Sequence, residues 1–367
     1  MNSDKKTRIL FLARRYPPSV GGVQTHCYNL YNSLTETCSV TLIALGKDSL
    51  LHLAWFVPYT FLISFFKVLF RQVDVIYFSD GVICSIAPFL RPFTRARFIV
   101  TIYGLEMTYS NPIFSRLMRL GVSACEKVPV ISQKTKEVAI EAGVPSEKID
   151  IIYLGIDPPS VSETQRHELK SQFEKDHNIK FGQDKILLNF GRQVPRKGVA
   201  KFIENGMPLL DQGIKLIVSG SGPDSERIRE ARDKNNLQSQ VLLFSNEELL
   251  TNEELGMLRK EADLFIMPNV PYPNDVEGFG IAQLECMHDG TPAVVFAVDA
   301  LVESVSRGGY QISPNDYQAF ADQIHAFFQL SEEDRTQIEN EAQEYVRTEF
   351  TWAKTASEYL DLFEGRL

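Results

Sequence analysis

The sequence lacks the cysteine and histidine patterns on which metal sites and disulfide frameworks depend. Its five cysteines are scattered, odd in number and without a C-x-x-C pair, which argues against a zinc site and against paired disulfides. The six histidines show no metal-type spacing. We therefore expect no metal and no cofactor, and the cysteine usage fits a reducing cytosol.

Other signals are missing as well. The chain contains no G-x-S-x-G elbow and no P-loop, so neither serine-hydrolase nor P-loop chemistry has its usual sequence marker. The formal net charge is -9, and this balance gives no support to nucleic-acid binding. The polar start of the chain does not have the shape of a signal peptide. We expect a cytoplasmic protein that holds any anionic ligand by local cations and backbone amides.

What the sequence does contain is a repeated alternation of short apolar runs and helical patterns. A length of 367 residues suggests two domains, and strands that alternate with helices predict parallel, helix-covered sheets. The predicted strands are 9–12, 40–44, 73–78, 97–102, 127–131, 148–153, 185–190, 215–219, 241–244, 264–267 and 293–297. The predicted helices include 23–34, 133–142, 197–210, 225–235 and 351–363.

A polar stretch with two prolines, 157–165, is typical of an interdomain connection. We therefore predict an N-terminal Rossmann-like domain at 1–165 and a second one at 166–345. Residues 346–367 are predicted to form a C-terminal helix, with a return to the N-terminal domain as one option. Ligands of open α/β sheets bind beyond the carboxyl ends of the strands, so the candidate motifs should line a cleft between the two domains.

The stretch from Glu277 to Glu285 is the strongest motif. Two glycines in it, Gly278 and Gly280, allow a ligand to approach the backbone, and a helical apolar segment starts at Ile281. Free amides and the positive end of the dipole make such a helix start a phosphate site. One of the two carboxylates can accept from ribose hydroxyls and the other from sugar hydroxyls. An acidic residue before an ordinary helix is the alternative.

Three further glycine or cation motifs follow predicted strands. Arg192, Arg196 and Lys197 come after the strand 185–190, where cations suit a diphosphate, although a solvated basic loop is the alternative. Gly220 and Gly222 resemble a dinucleotide fingerprint, but the third glycine is missing, so a structural turn is preferred over NAD binding. Near the N-terminus, a double glycine precedes a helix and suits a phosphate or sugar, or forms a flexible loop; its members are Gly21 and Gly22.

The segment 51–70 is almost wholly apolar, with Trp55 and five phenylalanines, and it is interrupted by His52, Pro58 and Lys67. A membrane-spanning helix needs about 20 apolar residues, so the length is marginal. Three interpretations stay open: a helix packed in the core or in a groove, a surface that contacts a membrane, or a true span.

Taken together, these motifs resemble the retaining nucleotide-sugar glycosyltransferases of family four, which have the GT-B architecture of two Rossmann-like domains facing across a cleft. The resemblance covers nearly the whole length and includes the E-x7-E motif at 277–285 in its E-G-F-G form. It also includes 17–18 with 21–22, 131–135, 155–157, 191–192 with 197–198, and 220–223.

The resemblance implies roles for these residues. Arg192 and Lys197 would bind the donor diphosphate with help from Phe279, Gly280 and Ile281, while Gly220 and Gly222 would lie beside it. Glu285 would hold the ribose and Glu277 the transferred sugar. Gly21 and Gly22 would lie against the phosphate or the acceptor. The donor is expected to be a UDP- or GDP-sugar, and the reaction is expected to need no metal.

One departure from the family pattern concerns the acceptor side. The family often has T-x-H-G after an N-domain strand, and Tyr103 stands here at the histidine position. A phenol is a poor proton partner at neutral pH but still hydrogen-bonds a sugar hydroxyl. We assign Tyr103 to catalysis and, with Glu106 and His26, to acceptor binding. A second departure is Leu154, which stands where the family commonly has an asparagine.

We therefore predict a retaining, metal-independent hexosyltransferase that uses a nucleotide-sugar and acts on a glycan or lipid-linked acceptor in polysaccharide biosynthesis. The segment 51–70 suggests peripheral contact with the inner face of the membrane. Two alternatives are kept: a GT-B transferase with a small soluble acceptor, and a non-catalytic sugar-nucleotide-binding scaffold.

Overall fold

Strands and helices alternate along the chain and form two separate units in the computed structural model. The structure describes residues 6–19, 21–47, 50–104, 112–273 and 275–367. The first unit comprises Met1–Gly155 together with Phe350–Leu367, and the second comprises Ile156–Glu349. The division along the chain therefore falls ten residues before the predicted one, and the last helix belongs to the first unit.

The first unit is built on parallel strands. They are β1 (Arg8–Ala13), β2 (Ser39–Ala44), β3 (Val75–Phe78), β4 (Arg97–Val100), β5 (Val128–Val130) and β6 (Ile149–Ile151). The first four form a sheet in the order β2-β1-β3-β4, and β5 pairs with β6. Backbone bonds from Val100 to Lys127 and from Ile102 to Pro129 continue the hydrogen bonding from β4 to β5.

Helices cover this sheet. They are α1 (Gly22–Thr37), α2 (Leu50–Leu69), α3 (Ala87–Leu90), α4 (Pro112–Ser123), α5 (Gln133–Glu141) and the C-terminal α14 (Trp352–Glu364). The apolar face of α14 packs with α1 against β1 and β3, where Tyr359 and Phe363 join one core with Phe11 and Tyr77. The helix α2 packs on the core that contains Phe78 and Phe98.

The second unit has one sheet of six parallel strands in the order β12-β11-β10-β7-β8-β9. The strands are β7 (Lys185–Phe190), β8 (Ile214–Ser219), β9 (Val241–Phe244), β10 (Leu264–Met267), β11 (Ala293–Phe296) and β12 (Gly309–Ile312). Its helices are α6 (Glu163–His177), α7 (Val199–Asn205), α8 (Ser225–Lys234), α9 (Asn252–Glu261), α10 (Ile281–Asp289), α11 (Leu301–Ser304), α12 (Tyr317–Gln329) and α13 (Glu332–Glu349).

The structure corrects three local predictions. The predicted helix 197–210 is a 3-10 turn at Pro195–Lys197, then α7, then a second turn at Met207–Leu209. The break occurs because Gly198 has a φ of 66°, which a helix does not accommodate. The predicted connection 157–165 runs into α6, which begins at Glu163. The edge strand β12 was not predicted.

Candidate functional site

The strand order of the second unit fixes where a ligand site should lie. The chain moves from β7 outward to β8 and β9, then returns to the other side of β7 to form β10. Loops that leave such a switch point diverge and open a crevice at the carboxyl ends of the strands. The loop after β7 carries residues 191–198, and the segment after β10 leads to α10. The two strongest sequence motifs therefore meet at one point of one sheet.

Arg196 and Glu277 form an ion pair across this switch point. The Arg196 Nε also donates to Asp275 Oδ1 at 3.0 Å, and the Asn269 side chain donates to Glu277 Oε2 at 3.2 Å. The Glu277 amide donates to Asp299 Oδ2 at 3.0 Å. The loops after β7 and β10 thus hold the Glu277 carboxylate, and the loop after β11 holds the Glu277 backbone amide. Glu277 is only 7% exposed.

Lys197 is buried beside this pair, at 8% exposure. Burial lowers the pKa of Lys197, while Glu277 opposes this effect. For Glu277, burial alone would raise the pKa, but Lys197 and Arg196 outweigh it and hold the pKa below its ordinary value. The carboxylate is therefore ionised at neutral pH, and it lies next to two cations in a largely dehydrated position.

The helix α10 begins directly after this cluster. Gly280 precedes it with a φ of 79°, and no side chain caps the helix start. The Gln283 side chain turns back to Phe279 O at 3.4 Å and to Ser304 Oγ at 2.8 Å. Phe279 is buried, which fixes the turn before the helix. The first amides of α10 thus add the positive end of a nine-residue helix to the cations of the β7 loop.

Glu285 lies one turn further along α10. Burial raises the pKa of Glu285 to about 7, and Arg259 opposes the shift while Asp289 adds to it. Those two neighbours form a buried ion pair of their own, with Arg259 Nε 2.7 Å from Asp289 Oδ2. The two carboxylates of the 277–285 motif therefore differ: Glu277 is kept ionised, and Glu285 titrates near neutral pH.

The glycines after β8 serve backbone packing. Gly220 has a φ of 146°, and a side chain there would collide with the carbonyl of Gly191. Gly222 packs in the same way against the Gln193 backbone. This supports the preference for a structural turn over a dinucleotide fingerprint. Contact of Gly220 and Gly222 with a donor stays a prediction. A small pocket beside this turn is lined by Gln193, Gly220, Phe244 and Ser245, among others.

Arg192 takes no part in the ion pairs of Arg196. Its side chain is exposed, and it forms no ion pair with any carboxylate in the part of the chain that the structure describes. From the sequence, Arg192, Arg196 and Lys197 are the cations expected to suit a diphosphate, and the family resemblance assigns it to Arg192 and Lys197. The pairing of Arg196 with Glu277, and any role for Asn269, Asp275 or Asp299, were not predicted. Of these, Asn269 could have been predicted as a site residue, because it lies just after β10 and ligands bind beyond the carboxyl ends of such strands.

The first unit has an equivalent switch point between β1 and β3. Arg14, just after β1, donates to Asp80 Oδ2 at 3.0 Å, and Asp80 Oδ1 accepts from the amides of Val82 and Ile83. Gly21 and Gly22 lie at the start of α1, again without a side-chain cap. The two predicted glycines therefore present helix-start amides near this strand end, with no side-chain cap from the residues that the structure describes.

Tyr103 and His26 are in contact. Tyr103 follows β4 and His26 lies on α1, and the Tyr103 hydroxyl is 2.8 Å from His26 Nδ1. Burial lowers the pKa of His26 to about 3, so the ring is neutral at physiological pH. Its Nε2 has no hydrogen-bond partner among the described residues. Glu106, the third predicted acceptor residue, lies outside the described residues.

Two family models match the chain. The model of glycosyltransferase family 4 matches residues 20–159, and the model of glycosyl transferases group 1 matches residues 170–345. The chain belongs to the family 4 glycosyltransferases. The predicted membership of glycosyltransferase family 4 is thereby confirmed, whereas the retaining mechanism and the roles of the E-x7-E residues stay predictions.

Several related proteins and solved structures are similar to this glycosyltransferase over most of its length. An uncharacterized glycosyltransferase of Methanocaldococcus jannaschii is 23% identical, over 97% of this chain and 98% of that protein. The GDP-mannose-dependent alpha-(1-6)-phosphatidylinositol monomannoside mannosyltransferase of Mycobacterium tuberculosis is 22% identical, over 80% of this chain and 77% of its own. The crystal structure of Anabaena HepE in complex with UDP and glucose has a TM-score of 0.76 at 17% identity, covering 98% of this chain and 100% of that one. The predicted GT-B fold is confirmed.

Proposed function

We propose that this glycosyltransferase moves a hexose-type sugar from a UDP- or GDP-sugar to a glycan or lipid-linked acceptor, with retained configuration and without a metal. The observation that carries the proposal is the buried group of Lys197, Arg196 and Glu277 at the β7–β10 switch point. It places an ionised carboxylate, two cations and a helix start at one position, as an anionic sugar donor requires.

The diphosphate would be held by Lys197, by Arg192 and by the first amides of α10. Cations and a helix start stabilise the charge that grows on the leaving diphosphate as the sugar departs. Because Lys197 is buried, its field is weakly screened by water. This arrangement supplies the charge that a metal ion provides in other transferases, and it motivates the metal-independent assignment.

Glu277 would accept hydrogen bonds from hydroxyls of the transferred sugar, and Glu285 from the ribose. Arg196 already occupies one oxygen of Glu277, so it acts as a positioning residue that orients the carboxylate. No strong base is needed in a front-face route, because a leaving phosphate oxygen takes the acceptor proton. Retention of configuration follows from attack on the face that the diphosphate leaves.

The acceptor side is assigned to Tyr103, His26 and Glu106. Neutral His26 holds the Tyr103 hydroxyl at its Nδ1, which leaves the phenol suited to hydrogen-bond a sugar hydroxyl rather than to transfer a proton. The name of the mycobacterial relative includes a phosphatidylinositol mannoside, and HepE was crystallised with UDP and glucose. Both support a nucleotide-sugar donor, and the first supports a lipid-linked acceptor.

The test combines a donor screen with a matched pair of variants. UDP-, GDP- and ADP-sugars are compared by thermal shift and by slow donor hydrolysis, and the anomer of the product is read by NMR, with and without EDTA. Lys197→Met should lower kcat/KM by about 10²- to 10³-fold, whereas Lys201→Met, on the adjacent helix, should leave it unchanged. Donor binding without turnover in the parent chain, with only affinity lost in Lys197→Met, would favour the non-catalytic scaffold.

A further inference from the structure

The helix α2 presents an apolar face to solvent. Exposed large side chains recur along it with helical spacing, and they include two aromatic rings more than half exposed, Trp55 at 52% and Phe66 at 53%. At 100° per residue these positions fall within a narrow arc. We call this set the α2 face: Leu51, Trp55, Tyr59, Leu62, Phe66 and Leu69.

The opposite side of α2 is fixed to the first unit. Phe56 and Val68, twelve positions apart, are both buried in the same core cluster. Thr60 and Ser64 lie between them and are fully buried. Among the described residues, α2 is the one helix whose length and composition would allow it to cross a membrane. Because the helix is anchored along its length, the structure favours a surface position over a span.

The segment that packs beside α2 continues the apolar surface. Residues 83–93 contact α2, and they expose Phe89 at 59% and Phe93 at 56%. Phe93 meets Phe65 of α2 edge to face, with ring centroids 5.1 Å apart. Exposed aromatic and aliphatic residues from two elements therefore form one continuous patch. Large patches of this kind on a soluble protein mark an interaction surface.

The charged residues around this patch are mainly basic, and the nearby acidic Glu126 is paired with Arg91 and Arg97. The sequence contains no Asp or Glu in 50–73, in 81–104 or in 112–125, although the whole chain has a net charge of -9. Cations flank the α2 face at Lys67, Arg71 and Arg95, and α4, which packs against the same segment, exposes Arg116 and Arg119. A basic, aromatic-rich surface on an acidic protein is complementary to an anionic bilayer.

We propose that the first unit docks on an anionic lipid bilayer through the α2 face, with the helix lying in the plane of the membrane. Trp55, Phe66 and their apolar neighbours enter the boundary between headgroups and acyl chains, while Lys67 and Arg95 contact lipid phosphates. The proposal deepens the proposed function, because it names the membrane as the partner that presents a lipid-linked acceptor. Docking itself requires neither donor nor acceptor.

The first test measures partition of the full chain, without substrates, into vesicles of phosphatidylcholine with about one third phosphatidylglycerol. Leu62→Glu with Phe66→Glu should lower the partition coefficient at least tenfold. The control, Ile140→Glu with Leu209→Glu, makes the same charge change at exposed apolar sites away from the face and should bind as the parent does. Lys67→Gln with Arg95→Gln should weaken binding about tenfold on these vesicles and little on pure phosphatidylcholine.

The second test reads insertion at one residue. The chain has two tryptophans, and Trp55 is the one on the face. Vesicles should shift its emission to the blue and brominated lipids should quench it, and Trp55→Phe should abolish both signals. Alkaline carbonate should release the bound protein, as expected for a peripheral contact.

The proposal would be overturned if the parent chain did not partition into vesicles, or if the face variant partitioned equally well. It would also be overturned if the parent formed a dimer in solution and bound no vesicles, and the face variant were a monomer. Donor hydrolysis by the Leu62→Glu, Phe66→Glu variant should equal that of the parent. Failure of docking is therefore distinguishable from failure of the proposed transferase activity.

Discussion

At the residue scale, two arginines four positions apart differ in surroundings and should differ in role. Arg196 has only 15% of its side chain exposed and is paired with Glu277 and Asp275, whereas Arg192 is exposed. Arg196→Met should lower the free energy of unfolding by about 3 kcal/mol, because breaking a buried pair leaves uncompensated charge. Arg192→Met should change it by less than about 0.5 kcal/mol and yet weaken donor binding. Urea denaturation and donor titration measure the two effects, and equal stability of the two variants would refute the assignment.

The raised pKa of Glu285, about 7, gives donor binding a pH dependence. The ionised carboxylate accepts from ribose hydroxyls more strongly than the protonated one, and protonation therefore competes with binding as the pH falls through 7. If only the ionised form binds, the dissociation constant of an intact nucleotide-sugar should be about tenfold higher at pH 6 than at pH 8. An intact donor is used because it lacks the terminal phosphate monoester that itself titrates near pH 6.

The control for this dependence replaces the titrating group. Glu285→Gln keeps an acceptor oxygen but has no proton to gain, so its dissociation constant should be flat between the two pH values. His325→Gln, on α12 and not among the groups that shift the Glu285 pKa, should keep the parent slope. A slope that survives in Glu285→Gln would mean that another group controls binding.

At the scale of elements, the turn between β7 and α7 depends on a glycine. Gly198 has a φ of 66°, and a side chain there would meet the carbonyl oxygen of Pro268, which follows β10. Gly198→Ala should therefore lower the free energy of unfolding by about 2 kcal/mol or more. Gly213→Ala, where an added Cβ meets nothing within 4 Å, should be neutral or slightly stabilising. Thermal denaturation of both variants makes the comparison, and equal melting temperatures would contradict it.

The helices and strands differ in how well the sequence predicts them. The buried strand β10 is a continuous apolar run, and β7 is apolar except at Lys185 and Asn189. Such runs are typical of strands buried on both faces, and the predicted positions of both strands are correct. The edge strand β12 is four residues long and only partly buried, so it lacks that signal. The helix predicted across Gly198 follows from apolar spacing, which carries no information about a left-handed residue.

The position of the candidate site was predictable from the sequence, but the pairing of its charged side chains was not. The strand-end rule brings the 191–198 loop and the 277–285 motif together, and the structure places both at one switch point. The partner of each charge depends on loop conformation, however. Nothing in the sequence of 191–198 indicates that Arg196 turns inward to Glu277 while Arg192 faces solvent, or that Lys197 is buried.

At the scale of the whole molecule, the first unit is discontinuous in sequence. Its core includes α14, which returns after the second unit is complete. Thr101 Oγ1 lies 2.7 Å from the Tyr359 hydroxyl and 2.6 Å from the Tyr77 hydroxyl, so the helix joins a buried polar network as well as the apolar core. Helical spacing in 351–363 predicted an amphipathic helix but not the surface that receives it.

This organisation predicts that the first unit depends on the last residues of the chain. Tyr359, Leu362 and Phe363 are almost fully buried, and their burial contributes roughly 6 kcal/mol in total. That amount is comparable with the whole stability of a domain, about 5–15 kcal/mol. Removal of 350–367 should therefore unfold or nearly unfold the first unit, while the second unit, 156–349, stays folded.

Two-dimensional NMR of the truncated chain measures this directly, because amide signals of the two units can be compared in one spectrum. Signals of the second unit should superimpose on those of the fragment 156–349, and signals of the first should collapse toward unfolded positions. The control removes only Arg366 and Leu367, which are exposed beyond the end of α14, and should give the parent spectrum. Native signals of β1 and β3 without α14 would show instead that the helix is a dispensable cover, with the core closed by α1 alone.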